Sequence, residues 1–468
     1  MPPAAPQVSV VIPTFNAGPR FVDTLWALMD QEVMEPFELV VIDSGSTDGT
    51  LHRAYSFGAK ILRIPPNKFN HGRARNLAIA QCRGKYVALL VQDAIPANVH
   101  WLPKLVAALE SSPHVAGAYS RHLPHEGAGF IARQVAEYWH RRQGGRVVQH
   151  LPAPEVWAGL PLAAKQEYCT FNNVSSIIRR SVWERIPFRE VPFAEDLAWG
   201  YDVLRAGYNI IYEPSSLVYH SHQRPLWYEL RRAYVEAKTV GELFEEPAQP
   251  LAVRDLWRLY RWWRELDQAT RPLLRQQEVE PALRRQALEE EAWYRRHFSW
   301  QTLTRIFGGA SPYPSAEQSH LFKRLNFLWH QKHPETNLPE DWEWGELKQH
   351  IQRAVWHGDG QALTPEEVEF IFACFWRELG RDYVRRAVQE EVAHLDGGFP
   401  ALEAETRQFA GAWVVQAQQQ GVLTPPLYRE IWLYAATRMI GRRLGAANRY
   451  GAGGRWGYVL DTWWARGI

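Results

Sequence analysis

The sequence predicts an α/β domain with a mostly parallel central sheet, followed by an all-helical C-terminal region. Short apolar, β-branched runs alternate with helical stretches over residues 8–91, and the clearest runs end in polar residues. Strand-like runs become rare after about Pro225, where long amphipathic stretches rich in Trp and Arg begin. Alternating strands and helices are typical of parallel sheets covered on both faces.

Four apolar runs predict the strands of this sheet. The predicted strands are 8–12, 39–42, 60–64 and 86–91, with helices at 19–31 and 74–81. Ligands of open α/β sheets bind at the carboxyl ends of the strands, which here are the polar segments 13–16, 43–46 and 92–94. The first turn lacks GxGxxG, and no Gly-rich loop ends in Lys-Ser/Thr. Both absences disfavour a dinucleotide-binding Rossmann domain and a P-loop.

The composition of the 468-residue chain is that of a globular protein, with 46% hydrophobic residues and a formal net charge of +2. This length predicts two or three domains. The small net charge and the lack of a basic tail argue against a nucleic-acid partner. The 3 cysteines lack CxxC spacing, and we find neither an export signal nor a run of about 18 apolar residues. These features predict a protein of the reducing cytoplasm.

The segments VSVVIPTFN (8–16) and VVIDSGSTDGT (40–50) resemble the opening of family 2 glycosyltransferases of the GT-A fold. The resemblance implies a nucleotide-sugar site with a nucleoside contact from a carboxylate, which can accept hydrogen bonds from a pyrimidine or a ribose. The implied residues are Pro13, Thr14, Asn16 and Asp43. The alternative is that Asp43 and Ser44 only form a turn. Ser44 departs from the family, which usually has a second Asp there.

The segment FNHGRARN (69–76) resembles the FxHGxxRN signature of the rhamnosyltransferase-like branch of that family. The resemblance implies that Gly72, Arg73, Arg75 and Asn76 also bind the nucleotide sugar. A glycine before a helix lets a diphosphate approach the backbone, and guanidinium groups can neutralise it. An ordinary helix start with solvated arginines is the alternative.

The segment QDAIP (92–96) stands where the family has its DXD metal motif, and it resembles the TQDA version of the rhamnosyltransferase-like branch. The resemblance implies that Gln92 and Asp93 contact the nucleotide sugar and that Asp93 also binds a divalent cation. Mg²⁺ or Mn²⁺ can bridge two phosphates, so one carboxylate can serve while other oxygens and water complete the shell. The alternative is an Asp that caps a helix beginning at Pro96.

The segment PFAED (192–196) resembles the family's ED motif. The resemblance implies that Asp196 takes the proton from the acceptor hydroxyl during inverting transfer, as a general base does. Glu195 is expected to orient a substrate or the loop. The alternative is that both acidic residues favour the dipole at the first turn of a helix over 196–206.

Two further segments resemble the same family. FNNVSSIIRR (171–180) resembles its acceptor-side strand, and YEPSSLVYHSH (212–222) resembles the close of its catalytic domain, where a histidine binds the metal or the diphosphate. The acceptor-side candidates are Asn172 and Asn173. His220 or His222 is the metal candidate, and the other is either structural or a supporting partner.

The helical region carries fewer signals. RDLWRLYRWWR (254–264) places apolar and arginine residues on different faces, which suits an anionic membrane surface or, as the commoner case, packing on the catalytic domain or in a dimer. Helix starts are predicted at Thr364 and Thr424, each followed by Pro. MIGRRLG (439–445) resembles the tail of shorter rhamnosyltransferase-like proteins, which implies an added helical domain at about 245–430.

Taken together, these segments predict a catalytic domain at 1–225 and a helical region at 226–468. The resemblance implies an inverting, metal-dependent transferase that moves a sugar such as rhamnose from a dTDP- or UDP-linked donor to a glycan or lipid-linked acceptor in cell-surface polysaccharide synthesis. It would act in the cytoplasm or at the inner face of the membrane, alone or as a homo-oligomer. Two alternatives are a non-catalytic nucleotide-sugar or glycan-binding protein on a decayed transferase domain and a helical scaffold for other synthesis enzymes.

Overall fold

The computed structural model describes residues 6–33, 35–249, 251, 259, 262–263, 266–270, 400–453, 458 and 460–461. These residues form two compact units, which divide between Gln223 and Arg224. The predicted helix at 254–264, the helix start at Thr364 and the added domain at 245–430 lie wholly or mainly outside the described residues.

The first unit is built on a 9-stranded sheet. In chain order its strands are β1 (Val8–Thr14), β2 (Glu38–Asp43), β3 (Lys60–Arg63), β4 (Tyr86–Leu90), β5 (Ile95–Pro96), β6 (Val115–Leu123), β7 (Val147–Gln149), β8 (Ser175–Arg179) and β9 (Asn209–Tyr219). Across the sheet their order is β3-β2-β1-β4-β8-β6-β9-β5, and β7 also pairs with β9. Strands β3, β2, β1 and β4 are parallel neighbours, as are β6 and β9. The pairs that involve β5, β7 and β8 are antiparallel.

The predicted α/β fold is confirmed, and the four predicted strands correspond to β1–β4. Strand β4 and nearly all of β1 and β2 are buried, as expected for apolar strands covered on both faces. Strand β3 is more exposed because it lies at the edge of the sheet. The antiparallel pairs arise where β8 enters the sheet between β4 and β6.

Ten helices are described in the first unit. They are α1 (Phe21–Met29), α2 (Thr50–Ser56), α3 (His71–Ile79), α4 (Trp101–Glu110), α5 (Phe130–Ala136), α6 (Tyr138–Gln143), α7 (Pro154–Gly159), α8 (Leu162–Tyr168), α9 (Arg180–Trp183) and α10 (Glu195–Arg205). Helix α3 begins after Asn70, whose side chain accepts a hydrogen bond from the Arg73 N–H and so caps the helix. The buried Trp101 of α4 packs in the core, and its indole N–H donates to Ser175 Oγ at 2.8 Å.

The second unit is helical throughout its described part, as predicted. Its helices are α11 (Leu226–Leu243), α12 (Pro400–Gln419) and α13 (Pro425–Ala447), followed by a 3₁₀ turn at Arg449–Gly451. The predicted helix start at Thr424 is confirmed, because its side chain accepts a hydrogen bond from the Leu427 N–H at the first turn of α13. Helix α13 packs closely on α11, and Gly441 and Gly445 lie at that contact.

Among the helices whose residues the structure describes, none combines the length and the apolar content needed to cross a membrane.

Candidate active site

The carboxyl ends of β2, β1 and β4 lie side by side, and the pairing register brings Thr14 opposite Asp43. Asp43 Oδ2 accepts a hydrogen bond from Thr14 Oγ1 at 2.9 Å, and Asp43 Oδ1 accepts from the N–H groups of Gly45 and Ser46, each at 2.9 Å. Ser46 Oγ also donates to Oδ2. These bonds occupy both oxygens of a side chain that is only 1% exposed. In this conformation Asp43 organises the turn, and contact with a nucleoside requires one of these bonds to exchange.

The loop after β1 is held at the same edge. Asn16 has a left-handed backbone conformation, with φ of 44°, and its Oδ1 accepts a hydrogen bond from the Thr47 N–H at 2.9 Å. The Gln92 amide makes two hydrogen bonds with the backbone of Phe15, accepting from its N–H at 2.8 Å and donating to its carbonyl at 3.2 Å. Gln92 therefore ties the end of β4 to the end of β1. Pro13, on β1, is partly buried beside these residues.

Asp93, His220 and His222 come together from the ends of β4 and β9. One ligand atom from each of the three lies within 4.8 Å of the others. The two histidine Nε2 atoms are 2.9 Å apart, and they lie 3.8 Å and 3.5 Å from the two carboxylate oxygens of Asp93. Neighbouring ligand atoms around an octahedral ion with bonds of about 2.1 Å are about 3 Å apart. The donor set and its spacing therefore fit one divalent cation, with both histidines in reach of it.

A third histidine packs against this group. The ring of His122, on β6, meets the ring of His220 edge to face, with centroids 5.5 Å apart. Burial lowers the pKa of His122 to about 4. His122 is therefore neutral near pH 7, so it packs against His220 without adding positive charge beside a cation.

Asp196 lies in the first turn of α10 and is partly exposed. Its Oδ2 accepts a hydrogen bond from the Asn173 N–H at 3.1 Å, and its Oδ1 accepts from the Leu197 N–H at 2.8 Å. Burial, followed by the negative charge of Glu195, raises the pKa of Asp196 to about 7. A carboxyl group with such a pKa can take up and release a proton at neutral pH, as a general base must.

Glu195 forms an ion pair with Arg75 in the interior, with Arg75 Nη1 donating to Glu195 Oε1 at 2.7 Å. Burial opposes ionisation, but the Arg75 guanidinium and then His71 hold the pKa of Glu195 below its usual value. Asn173 Nδ2 also donates to Glu195 Oε1, at 3.3 Å. Glu195 is therefore an ionised residue whose Oε1 is held by Arg75 and Asn173 next to Asp196.

The residues predicted to hold a diphosphate from α3 contact protein groups instead. Arg75 is 3% exposed and engaged by Glu195, and Arg73 donates to Glu190 Oε2 through Nε at 2.9 Å. Gly72 lies directly against the backbone carbonyl of Arg189. The side chain of Asn76 bonds to the backbone of Phe188. Contact between these residues and a nucleotide sugar stays a prediction.

The two acceptor-side candidates lie in the turn before β8. Asn172 Oδ1 accepts a hydrogen bond from the Val174 N–H at 3.0 Å, which stabilises that turn. Asn173 is 1% exposed and links both residues of the ED motif, since its backbone N–H reaches Asp196 and its amide reaches Glu195. The structure thus brings Asn173 to the catalytic candidates as a buried support.

Solved structures of two glycosyltransferases are similar to part of the chain. The mannosyltransferase PcManGT from Pyrobaculum calidifontis, in complex with GDP-Man and Mn²⁺, is 19% identical, with a TM-score of 0.38 over 53% of this chain and 67% of that one. Glucosyl-3-phosphoglycerate synthase from Mycobacterium tuberculosis, in complex with Mn²⁺, UDP-Glc and phosphoglyceric acid, is 20% identical, with a TM-score of 0.38 over 53% and 83%.

The sequence comparisons decide the family. The model of glycosyl transferase family 2 matches residues 9–155. RfbN, an O-antigen chain rhamnosyltransferase of Salmonella typhimurium, is 33% identical over 220 residues, which are 46% of this chain and 67% of RfbN. This chain belongs to glycosyl transferase family 2. WbaN, an O-antigen chain rhamnosyltransferase of Salmonella anatum, is 29% identical to this family 2 glycosyltransferase over 237 residues, which are 49% of the chain and 70% of WbaN.

The predicted family and the likeness to its rhamnosyltransferase-like branch are confirmed by these matches. Sequence reasoning on this family 2 glycosyltransferase missed three residues at the site. Phe15 is 53% exposed at the strand ends, His122 packs under His220, and Asn70 bonds to the loop before α10. Of these three, only Asn70 could have been recognised from the sequence, because Asn is a preferred residue at the N-cap of a helix.

Proposed function

We propose that this family 2 glycosyltransferase moves a sugar from a nucleoside-diphosphate donor to a hydroxyl group of a glycan or lipid-linked acceptor, with inversion at the anomeric carbon. The observation that carries the proposal is Asp196, a partly exposed carboxyl group whose pKa is raised to about 7. A base with a pKa near the working pH combines a useful deprotonated fraction with a useful proton affinity.

Asp196 is proposed to act in a single displacement. It accepts the proton of the acceptor hydroxyl while that oxygen forms a bond to the anomeric carbon, and the bond from that carbon to the diphosphate oxygen breaks. Attack from the face opposite the departing diphosphate inverts the configuration. The N–H groups of Asn173 and Leu197 each hold one oxygen of the carboxylate, which supports a fixed orientation for the proton transfer.

The donor's diphosphate is proposed to lie near Asp93, His220 and His222, which would hold a divalent cation. The bound cation would neutralise charge that develops on the leaving diphosphate. Two imidazole nitrogens and one carboxylate suit Mn²⁺ better than Mg²⁺, because Mg²⁺ strongly prefers oxygen ligands. The exposed Phe15 ring, with Pro13, Thr14 and Asn16 beside it, is proposed to line the nucleoside position.

Rhamnose is the proposed sugar, carried by dTDP or UDP, and a cell-surface polysaccharide is the proposed product. The support is the likeness to RfbN and WbaN, both named as O-antigen chain rhamnosyltransferases. The proposed substrates are therefore a rhamnosyl donor and a glycan acceptor.

A second candidate function is non-catalytic binding of a nucleotide sugar or glycan. Two observations favour it: Ser44 stands where the family usually has Asp, and both oxygens of Asp43 are engaged by the chain's own groups. Such a protein would bind a donor and turn nothing over.

The test is a donor panel of radiolabelled dTDP-rhamnose, UDP-glucose and GDP-mannose with Mn²⁺, offered with oligosaccharide and lipid-linked acceptors. Wild type is compared with Asp196→Asn and with Asp23→Asn, which changes an exposed carboxylate on α1. We expect Asp196→Asn to lower turnover at least about 100-fold, the scale of a lost general base, while Asp23→Asn matches wild type. Equal turnover by wild type and Asp196→Asn would remove Asp196 from the mechanism, and donor binding without any turnover favours the second candidate.

A further inference from the structure

Helix α3 lies against residues 183–195, which lead from the end of α9 into the first turn of α10. We call residues 183–195 the pre-α10 segment. It ends one residue before Asp196, so its position determines where that carboxyl group lies. The FNHGRARN motif (69–76) covers the start of α3 and the two residues before it. Polar groups of this motif contact the pre-α10 segment along its length, although the segment is more than 100 residues away in sequence.

Asn76 makes the most specific of these contacts. Its Nδ2 donates to the Phe188 carbonyl at 2.8 Å, and its Oδ1 accepts from the Phe188 N–H at 3.1 Å and from Trp183 Nε1 at 2.8 Å. The amide thus pairs with both backbone groups of Phe188, whose ring is buried against Trp199 of α10. Only a side chain with both a donor and an acceptor can make this pair.

The start of α3 contacts the middle of the segment. Asn70 caps the helix with its Oδ1 and at the same time donates from Nδ2 to the Val191 carbonyl at 2.8 Å. Gly72 lies so close to the Arg189 carbonyl that any Cβ there would overlap it. The glycine is therefore needed for the approach of the pre-α10 segment itself.

The arginines of the motif complete the contact through ion pairs. Arg73 pairs with Glu190 at the surface, and Arg75 pairs with Glu195 in the interior. A buried ion pair holds its two partners strongly in place, because either charge alone would be poorly solvated. Both arginines of the motif are thus paired with acidic residues of the pre-α10 segment.

We propose that the FNHGRARN motif is a docking surface for the pre-α10 segment, and that Asn70 and Asn76 are positioning residues for Asp196. The inference rests on the proposed function, in which Asp196 is the base. General-base catalysis requires the carboxylate within hydrogen-bond reach of the reacting hydroxyl, and a displacement of about 1 Å can cost about 100-fold in rate. Loosening this contact slows the chemical step and leaves the nucleotide site unchanged.

Two isosteric substitutions separate docking from donor binding. In Asn70→Asp the carboxylate still caps α3, since Asp and Asn are equally good caps, but it cannot donate to Val191. In Asn76→Asp the oxygen that accepts from Phe188 and Trp183 is kept, and the donor to the Phe188 carbonyl is lost. Leu77→Ala is the matched control, because Leu77 lies on the same helix with 46% of its surface exposed.

Three measurements are made on the full chain with Mn²⁺: amide hydrogen exchange, the Kd of dTDP and UDP by calorimetry, and kcat for the donor found in the panel. For both Asp variants we expect faster exchange across 186–197, a kcat about 10- to 100-fold lower, and a Kd within about threefold of wild type. Leu77→Ala should match wild type in all three.

A Kd that rises about tenfold with unchanged exchange would overturn the inference, since α3 would then bind the diphosphate. Unchanged exchange and unchanged kcat in both variants would overturn it as well. If wild type binds neither nucleotide and turns over no donor, the proposed function fails, and the exchange rates alone decide whether α3 docks the pre-α10 segment.

Discussion

The Nε2 atoms of His220 and His222 lie 2.9 Å apart, and each histidine approaches a different oxygen of Asp93. Both side chains project from the end of β9, two residues apart, so the extended chain there carries them to the same side. The sequence left open which histidine is functional. In the structure, the two Nε2 atoms are close enough for both histidines to contact one cation.

Substitution of either histidine should therefore weaken metal binding. We expect His220→Ala and His222→Ala each to raise the Kd for Mn²⁺ about tenfold or more, because each removes one of the three proposed ligands. Wild type should bind Mn²⁺ more tightly than Mg²⁺, since imidazole is a poor ligand for Mg²⁺. Calorimetric titration of both ions checks this, with the exposed His114→Ala as control. Wild-type affinity in both site variants would show that the cation, if any, binds elsewhere.

The pH dependence of turnover should follow Asp196. Its base form is deprotonated, and burial with the charge of Glu195 raises its pKa to about 7, so kcat should fall as the pH drops through about 7. Glu195→Gln removes the neighbouring negative charge and frees the Arg75 guanidinium. Both changes favour the Asp196 carboxylate, so the midpoint should move to lower pH.

Profiles of kcat between pH 5 and pH 9 measure that midpoint. Glu155→Gln, an exposed change on α7, serves as the control and should leave it in place. A midpoint that stays the same in Glu195→Gln, or that moves to higher pH, would contradict the assignment of the titrating group to Asp196.

The sequence was informative where local pattern determines structure. Strands β1–β4 were recognisable because apolar, β-branched runs have few alternatives, and Asp93 was recognisable because it follows such a run. The pairing of Arg75 with Glu195 was not, since these residues are 120 positions apart and either could have faced a ligand. The insertion of β8 between β4 and β6 was equally hidden, because strand order depends on contacts that no local pattern encodes.

Largely buried ion pairs hold α11 to α13 in the second unit. Arg438 donates to Glu229 at 3.2 Å and to Glu236 at 2.8 Å. Arg438→Ala should lower the free energy of unfolding by up to about 3–5 kcal/mol, because it removes the cation that contacts both carboxylates. Urea denaturation measures the loss, and Arg407→Ala, which breaks an exposed pair with Glu403, should cost at most about 1 kcal/mol. Equal costs for the two variants would contradict this explanation.

The same ion pairs predict how stability responds to acid. Burial opposes ionisation of Glu236, but Arg438 and then Arg442 lower its pKa to about 2, well under the ordinary 4.5. A lowered folded-state pKa contributes stability that is present above the unfolded value of about 4.5 and is lost as the pH falls toward about 2. Melting curves should therefore show Arg438→Ala approaching wild type as the pH drops through this window. A difference in Tm that stays constant from pH 7 to pH 3 would show that Glu236 gains nothing from the pair.

The close contact of α13 with α11 depends on its glycines. A Cβ at Gly441 would lie 2.5 Å from the Leu230 carbonyl oxygen, and one at Gly445 would overlap the Tyr234 carbonyl. Because the obstacle is backbone, Gly441→Ala and Gly445→Ala must push the helices apart, and we expect a loss of about 1–3 kcal/mol in unfolding free energy.

Gly411→Ala is the matched control for these two substitutions, since it lies within α12 and a Cβ there meets nothing within 4 Å. An Ala at such a helix position should stabilise the protein by about 0.5–1 kcal/mol, because Gly loses more backbone entropy on folding. Because Gly411→Ala should stabilise the protein while Gly441→Ala and Gly445→Ala should destabilise it, the comparison separates the effect of helix propensity from that of packing. If all three substitutions stabilise, the helices can move apart without loss, and the glycines have no packing role.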